Sequence, residues 1–399
     1  MRRGTFVRWG VPIAAAAVIG AAIGAGPVVA AVSGDPVLPE RSAQQLLADA
    51  AAAAQKTEGM LPMSGTVQQT ASLGLPALPA TSSAGPLSLL SGSHEVKVWY
   101  GAGDKLRVAM PTQMNETNLI VNGDQAWYFD SATNTATKII YNGKRPHDAA
   151  ETAPAELTPQ AAAEKVLAQA DEHTAVSVTN TAEVAGRPAY QLVLKPKDAG
   201  SLVEEVRLAL DGENFVPLQV QVFAKGSAEP AFQVGFTQVT FTPPAPENFA
   251  FTPPAGAKVE EKKLTAPQEG EGGERAEEHR EEARKAAEEV KIVGDGWTSV
   301  AVLPASVADL KAQDGRQAGE QGEQGEQQGD DGSPFGGDGG ADPAALLETV
   351  LKSATPVSGP WGSGKLITTK LATVLLTDDG RLLVGAVTPE EITKAAGVR

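Results

Sequence analysis

The sequence predicts a mainly β protein of the α+β class: one large, strongly curved antiparallel sheet with helical cover, then a small α+β domain interrupted by a disordered insert. Three observations predict it. Apolar residues recur with period two through most of the stretch from Gly65 to Phe251, as expected for strands with one apolar and one wet face. Helical spacing is confined to one segment ahead of these strands and one among them. Beyond Pro253-Pro254 the composition turns charged, then rich in Gly and Gln, and only then alternates again.

The chain begins with Arg2, Arg3 and Arg8 around the start of an uncharged apolar run from Trp9 to Val32, which ends in small residues at Val28-Val29-Ala30. Residues 1–32 are therefore expected to be either a signal peptide cleaved at Ala30 or a membrane anchor. Both place the remainder outside the cytoplasm, because the basic end stays inside. The chain has no Cys, which excludes disulfides, thiolate metal sites, Cys nucleophiles and lipid attachment through Cys. A formal net charge of −16 argues against nucleic acid, whose phosphates require clustered Lys and Arg. Any membrane contact must be local and apolar.

The first domain is expected over 33–257. A helix over 40–57 follows from Ala43, Leu46, Leu47 and Ala50 at helical spacing, with Ser42 as its cap. Strands follow from the alternations Val96/Val98, Leu106/Val108/Met110, Leu192/Leu194, Val220/Val222 and Phe232/Val234/Phe236. These twelve side chains are the expected inward set, lining a cavity or filling a core. Turns are expected at Asn122-Gly123, Asn142-Gly143 and Asp211-Gly212. A second helix is expected over 159–173. The connection over 71–92 carries Leu73, Leu75, Leu78, Leu87, Leu89 and Leu90 among Pro, Gly and Ser. Ordinary hairpin loops are short and polar, so this one is expected to be a lid over the concave face or a membrane contact.

Residues 258–290 read as a charged spacer, since 274–289 is almost entirely Glu, Arg, Lys and Ala with no apolar stripe. The second domain is expected over 291–310 and 343–399, with a strand over 291–303 around Trp297, a helix over 343–353, strands over 365–377 and 381–387, and a last helix starting near Pro389. Residues 311–342, built of Gly, Gln, Asp and Glu, are the disordered insert.

A set of short pieces in order carries a resemblance. They are Leu119-Ile120-Val121-Asn122-Gly123-Asp124-Gln125-Ala126-Trp127-Tyr128-Phe129-Asp130, then Val184-Ala185-Gly186-Arg187-Pro188-Ala189-Tyr190-Gln191-Leu192, Asp211, Pro217-Leu218, and Phe249-Ala250-Phe251-Thr252-Pro253-Pro254-Ala255-Gly256-Ala257. Residues 41–257 resemble the LolA-like superfamily, which includes outer-membrane lipoprotein carriers and the N-terminal domain of the RseB/MucB envelope-stress regulators. Gly296-Trp297-Thr298-Ser299-Val300-Ala301-Val302 and Gly385-Ala386-Val387-Thr388-Pro389-Glu390-Glu391-Ile392 resemble the small RseB C-terminal domain. The resemblance implies a LolA-like half-open antiparallel β-barrel with a helical lid, whose concave face accepts an acyl chain or lipoprotein without catalysis. It also implies an alternative role, sensing misplaced lipid or lipoprotein and signalling to a membrane protein through the second domain.

No catalytic centre or cofactor site is expected. Gly359-Pro360-Trp361-Gly362-Ser363-Gly364-Lys365-Leu366 fits most of a phosphate-binding loop, but Leu366 stands where Ser or Thr would hold magnesium, and a β-rich run follows where a helix is needed. His94, His147, His173 and His279 lie far apart, without zinc-ligand spacing. Asp378-Asp379-Gly380 lacks the further ligands of a calcium loop and reads as a hairpin turn.

Overall fold

A computed structural model describes residues 37–56, 61–74, 91–101, 104–112, 114–142, 172–265, 290–304 and 352–398. The N-terminal segment 1–32, residues 159–171 of the helix expected over 159–173, the insert 311–342 and most of the helix expected over 343–353 lie outside these residues; 172–173 form a turn.

Helix α1 (Ala43–Lys56) opens with a reciprocal cap: the Gln45 N–H donates to Ser42 Oγ at 3.1 Å, and the Ser42 N–H to Gln45 Oε1 at 3.0 Å. Twelve strands form the main sheet: β1 (Met63–Ser72), β2 (Ser91–Gly101), β3 (Lys105–Pro111), β4 (Glu116–Asn122), β5 (Gln125–Asp130), β6 (Thr135–Asn142), β7 (Thr174–Val184), β8 (Arg187–Pro196), β9 (Val203–Asp211), β10 (Pro217–Ala224), β11 (Pro230–Thr240) and β12 (Lys258–Thr265). Their order is β12-β6-β5-β4-β3-β2-β1-β11-β10-β9-β8-β7, and among the described residues the two end strands, β12 and β7, do not pair with one another, so the sheet is open. The β7–β8 hairpin turns on Ala185 at φ +52 and Gly186 at φ +73, the two positive angles a tight primed turn demands.

One element departs from the antiparallel expectation and from the spacer. Residues 258–265, read as part of the charged spacer, form β12, paired in parallel with β6. Its Lys and Glu residues hide period two from the sequence, and charge suits a strand that ends a sheet.

The small domain is a six-stranded sheet, β13 (Lys291–Val293), β14 (Val300–Pro304), β15 (Thr355–Gly359), β16 (Gly362–Thr368), β17 (Thr373–Thr377) and β18 (Arg381–Gly385), in the order β13-β14-β18-β17-β16-β15. Helix α2 (Pro389–Ala396) closes it, burying Ile392, Ala395 and Ala396 against Val300, Leu375 and Leu383. Two expected strands are each two strands. The run over 291–303 breaks at a 3-10 turn, Gly296–Thr298, where Gly294 and Gly296 take positive φ. The run over 365–377 breaks at 369–372, where Thr369 Oγ1 accepts the Ala372 N–H at 2.9 Å. Threonine suits a strand in sequence, but its hydroxyl also closes this turn.

The two domains are bonded together. Ser201 bridges Val387; the Leu202 N–H donates to the Ala386 carbonyl at 2.8 Å, and the Thr388 N–H to the Gly200 carbonyl at 2.8 Å.

Candidate functional site: a two-part apolar face

Paired residues in adjacent strands share a face, so register decides which side chains meet. Val96 lies opposite Val67, and Val67 opposite Phe236. Val234 lies opposite Val220, and Phe232 opposite Val222. Through Leu208 and Val206 these connect to Leu192 and Leu194. On the other side Val98 lies opposite Val108, with Leu106 and Met110 two residues to either side of it. All twelve residues expected to point inward therefore share one face of the sheet.

That face has two unlike halves. Over β1, β2 and β8–β11 it is core: Val96, Val98, Leu192, Leu194, Val220, Val234 and Phe236 are buried. Leu46 of α1 is fully buried in the cluster that holds most of these residues, with Ala43, Leu47 and Ala50 packed against it. Over β3–β5 the same face is half-exposed at Leu106, Val108 and Met110. Register extends this half to Leu119, opposite Val108, to Val121, opposite Leu106, and to Tyr128, opposite Leu119. These three stand in the first piece of the resemblance but not among the expected inward residues. Strand β4 reads Leu119-Ile120-Val121, apolar on both faces, so alternation could not separate its sides.

The reverse face of β3–β6 accounts for the difference. Ala109, Ile120, Asn118 and Ala136 are buried there. Phe249, in the 3-10 turn Pro246–Phe249, is also buried, and Phe251 sets its ring 5.4 Å from Trp127 and 5.6 Å from Phe129. Arg107 donates twice to Asn118 Oδ1, at 3.2 and 3.0 Å, and lies 5.3 Å from the Trp99 ring centre. On the inner face of this half, Thr137 and Ile139 of β6 are buried, while Leu106, Val108, Met110, Leu119 and Val121 are only partly buried.

Tyr128 brings a hydroxyl to the half-exposed region. Its pKa is raised, first by burial and then by the charge of Asp130, against an opposing hydrogen bond with Thr117. The phenol stays protonated and able to donate at neutral pH.

Of the long apolar connection, only Leu73 lies within the described residues; Leu75, Leu78, Leu87, Leu89 and Leu90 lie outside them. The carbonyl of Leu73 accepts the Lys370 N–H at 2.8 Å, so the start of this connection is tied to the small domain.

The phosphate-loop-like segment is a hairpin turn. Gly359 pairs with Gly362, Gly362 takes φ +118, and strand β16 follows. Without a helix N-terminus the peptide N–H groups do not converge on a phosphate. The acidic turn is likewise held by protein donors: Asp378 accepts from Ser363 Oγ at 2.5 Å, and Asp379 from Arg381 Nε at 3.0 and 3.1 Å. Among the described residues no group of three or more His, Asp or Glu is placed to hold a metal, and no helix is long and apolar enough to cross a membrane.

The fold is similar to that of MucB in its complex with MucA(peri), at TM-score 0.37 and 13% identity, over 88% of this chain and 97% of that one. MucB in the Pseudomonas aeruginosa MucA/MucB complex gives the same TM-score and identity, over 88% and 96% of the two chains. A LolA superfamily protein from Nitrosomonas europaea is similar at TM-score 0.21 and 11% identity, over 53% of this chain and 99% of that one. No protein-family model matches the sequence. No curated protein matches it either.

Proposed function

We propose that this chain is a non-catalytic binding protein of the cell envelope, whose open inner face takes an acyl chain or the acylated end of a lipoprotein. One observation carries the reading: over β3 and β4 the outer-face residues Ala109, Asn118 and Ile120 are buried, while Leu106, Val108, Met110, Leu119 and Val121 on the inner face stay partly exposed. An apolar surface left open costs about 25 cal/mol per Å² in water, and an acyl chain recovers that without any chemistry. The Tyr128 hydroxyl offers a hydrogen bond to an ester or amide at the chain's head. The expected export segment, residues 1–32, would bring the protein to where such ligands occur.

The test is titration of residues 33–399 with a fluorescent fatty acid. Saturable binding that unlabelled fatty acid displaces is expected. A linear, non-displaceable signal would remove the proposal.

A second reading has its own support. The bond from Lys370 to Leu73 links the apolar connection to the small domain, as an envelope sensor that signals to a membrane protein would require. Hydrogen exchange separates the two: a carrier's small domain should not change on fatty-acid binding, whereas a sensor's should change around 369–372.

A further inference from the structure

We propose that the acyl ligand carries an uncharged head that donates hydrogen bonds, and that Asp130 selects for it on the open half of the inner face; this rests on the acyl-binding reading above. Register sorts that half into three rows running across β3–β6. Leu106, Val121, Ala126 and Ile139 lie side by side in the first. Val108, Leu119, Tyr128 and Thr137 form the second, and Met110, Thr117, Asp130 and Thr135 the third. Successive rows are two residues apart along each strand, or about 7 Å. The first row is wholly apolar, the second half so, and the third polar except at Met110. An amphiphile laid along the strands therefore meets apolar cover at one end and polar groups at the other, with the Tyr128 hydroxyl between them.

The charges on this half decide the head. Asp130 is the one charged residue in the three rows. Lys97, Arg107 and Lys138 lie on the outer face, opposite Ala109, Ile120 and Trp127 respectively. Across the sheet the third row continues to Lys258 of β12, opposite Thr135, but its ammonium lies 2.7 Å from Glu260 Oε1 on its own strand. A carboxylate or phosphate head within the rows thus meets a like charge and no cation. A head with O–H or N–H groups meets an acceptor instead. Asp130 is half-buried, and its Oδ1 accepts the Ala132 N–H at 2.8 Å, which holds the side chain at the end of β5. A carboxylate keeps further acceptor sites beyond that bond. Its charge also reaches into the site, since the Tyr128 pKa is raised first by burial and next by Asp130. Thr117 and Thr135, opposite Asp130 on its two sides, add hydroxyls that both donate and accept.

The experiment measures competition by a monoacylglycerol, and by the fatty acid of the same chain length, against a fluorescent fatty acid bound to residues 33–399 at neutral pH. The parent should prefer the monoacylglycerol by about tenfold, the scale of one like-charge contact in a partly buried site. Asp130→Asn keeps an oxygen for the Ala132 N–H and removes the charge, so the preference should shrink to about threefold or less. Asp124→Asn makes the same change of net charge in the exposed turn at the other end of β5, and should keep the parent's preference. Melting temperatures are recorded for both. Should Asp130→Asn not fold, Thr135→Lys, which sets a cation opposite Asp130, should narrow the preference in its place. Equal affinity of the parent for the two lipids, a preference for the fatty acid, or a preference unmoved in the folded variant would overturn the head assignment and leave the acyl site standing. An equal shift in Asp124→Asn would overturn it too. Absence of saturable binding by either lipid would overturn the acyl reading and the assignment with it.

Discussion

The indole Nε1 of Trp297 donates to the hydroxyl of Thr174 at 2.8 Å, tying the 3-10 turn of the small domain to the first residue of β7. Thr174 is buried, at 5% exposure, so water cannot readily replace this donor. Trp297→Phe keeps a ring at the interface and removes the bond. It should cost about 1 kcal/mol of stability, the usual net value of one hydrogen bond, and urea unfolding should read it as a lower midpoint. A second transition appearing in that curve would show the small domain unfolding separately.

One residue earlier, Gly296 sits at φ +55, and a Cβ there would lie 2.4 Å from Cγ of His173 and 2.7 Å from its Cβ. The position is closed on both counts, by backbone angle and by space. Gly296→Ala should destabilise the full chain by about 1–3 kcal/mol, through strain and overpacking. Limited proteolysis should then cut near 290–296 faster than in the parent. Parent-like stability and cleavage would mean that the turn has room to shift.

Acid should weaken the small domain through Asp379. Its carboxyl is held below the ordinary value of 3.8, first by the hydrogen bond from Arg381 and next by the one from Thr377. A depressed native pKa contributes stability above the ordinary value, and that contribution is lost as pH falls through the lowered one. The parent's melting temperature should therefore fall more steeply below about pH 4 than that of Asp379→Asn, with little difference in pH response at neutrality. Parallel curves at acid pH would remove the assignment.

Much of the main sheet was legible because its inner face is built from plain alternation. Phe232/Val234/Phe236 and Val220/Val222 needed only period two to be placed together, and Ser42 marked the start of α1. The legible signal failed wherever a strand met demands from both sides. In β4, Ile120 packs outward while Leu119 and Val121 face inward, so the strand reads as uniformly apolar. In β12 the ladder partner is β6, more than a hundred residues away in sequence, and a run of Lys and Glu carries no sign of it. The split of 365–377 into two strands rests on one hydroxyl, that of Thr369, choosing a turn over a ladder. Division of the inner face into core and open halves was equally hidden, because alternation tells which residues share a face and not whether that face is covered.

That division decides which residues test ligand binding. Alternation alone would choose Val220, but Val220 is 1% exposed in the cluster beneath α1. Val220→Asp would bury a carboxylate in the core and should unfold the domain, a result that says nothing about a ligand. Val108 is the better probe, being half-exposed on the inner face of β3. Lys97, exposed on the neighbouring strand, pairs with Ala109 and so lies on the outer face. Val108→Asp should keep the fold, by circular dichroism and melting temperature, and weaken fatty-acid binding about tenfold or more, since a bound chain would have to cover a charge. Lys97→Asp changes the net charge further in the same direction, yet should bind as the parent does. Tyr128→Phe completes the series by removing the hydroxyl alone, with an expected loss of about fivefold for an ester or amide ligand, in line with one hydrogen bond. Equal weakening by Val108→Asp and Lys97→Asp would point to simple charge repulsion of the fatty-acid carboxylate; an uncharged monoacylglycerol tests this, because the Lys97 effect should vanish there while the Val108 effect persists. Parent-like affinity in Val108→Asp for both ligands would place the acyl chain elsewhere than on the open half of the inner face.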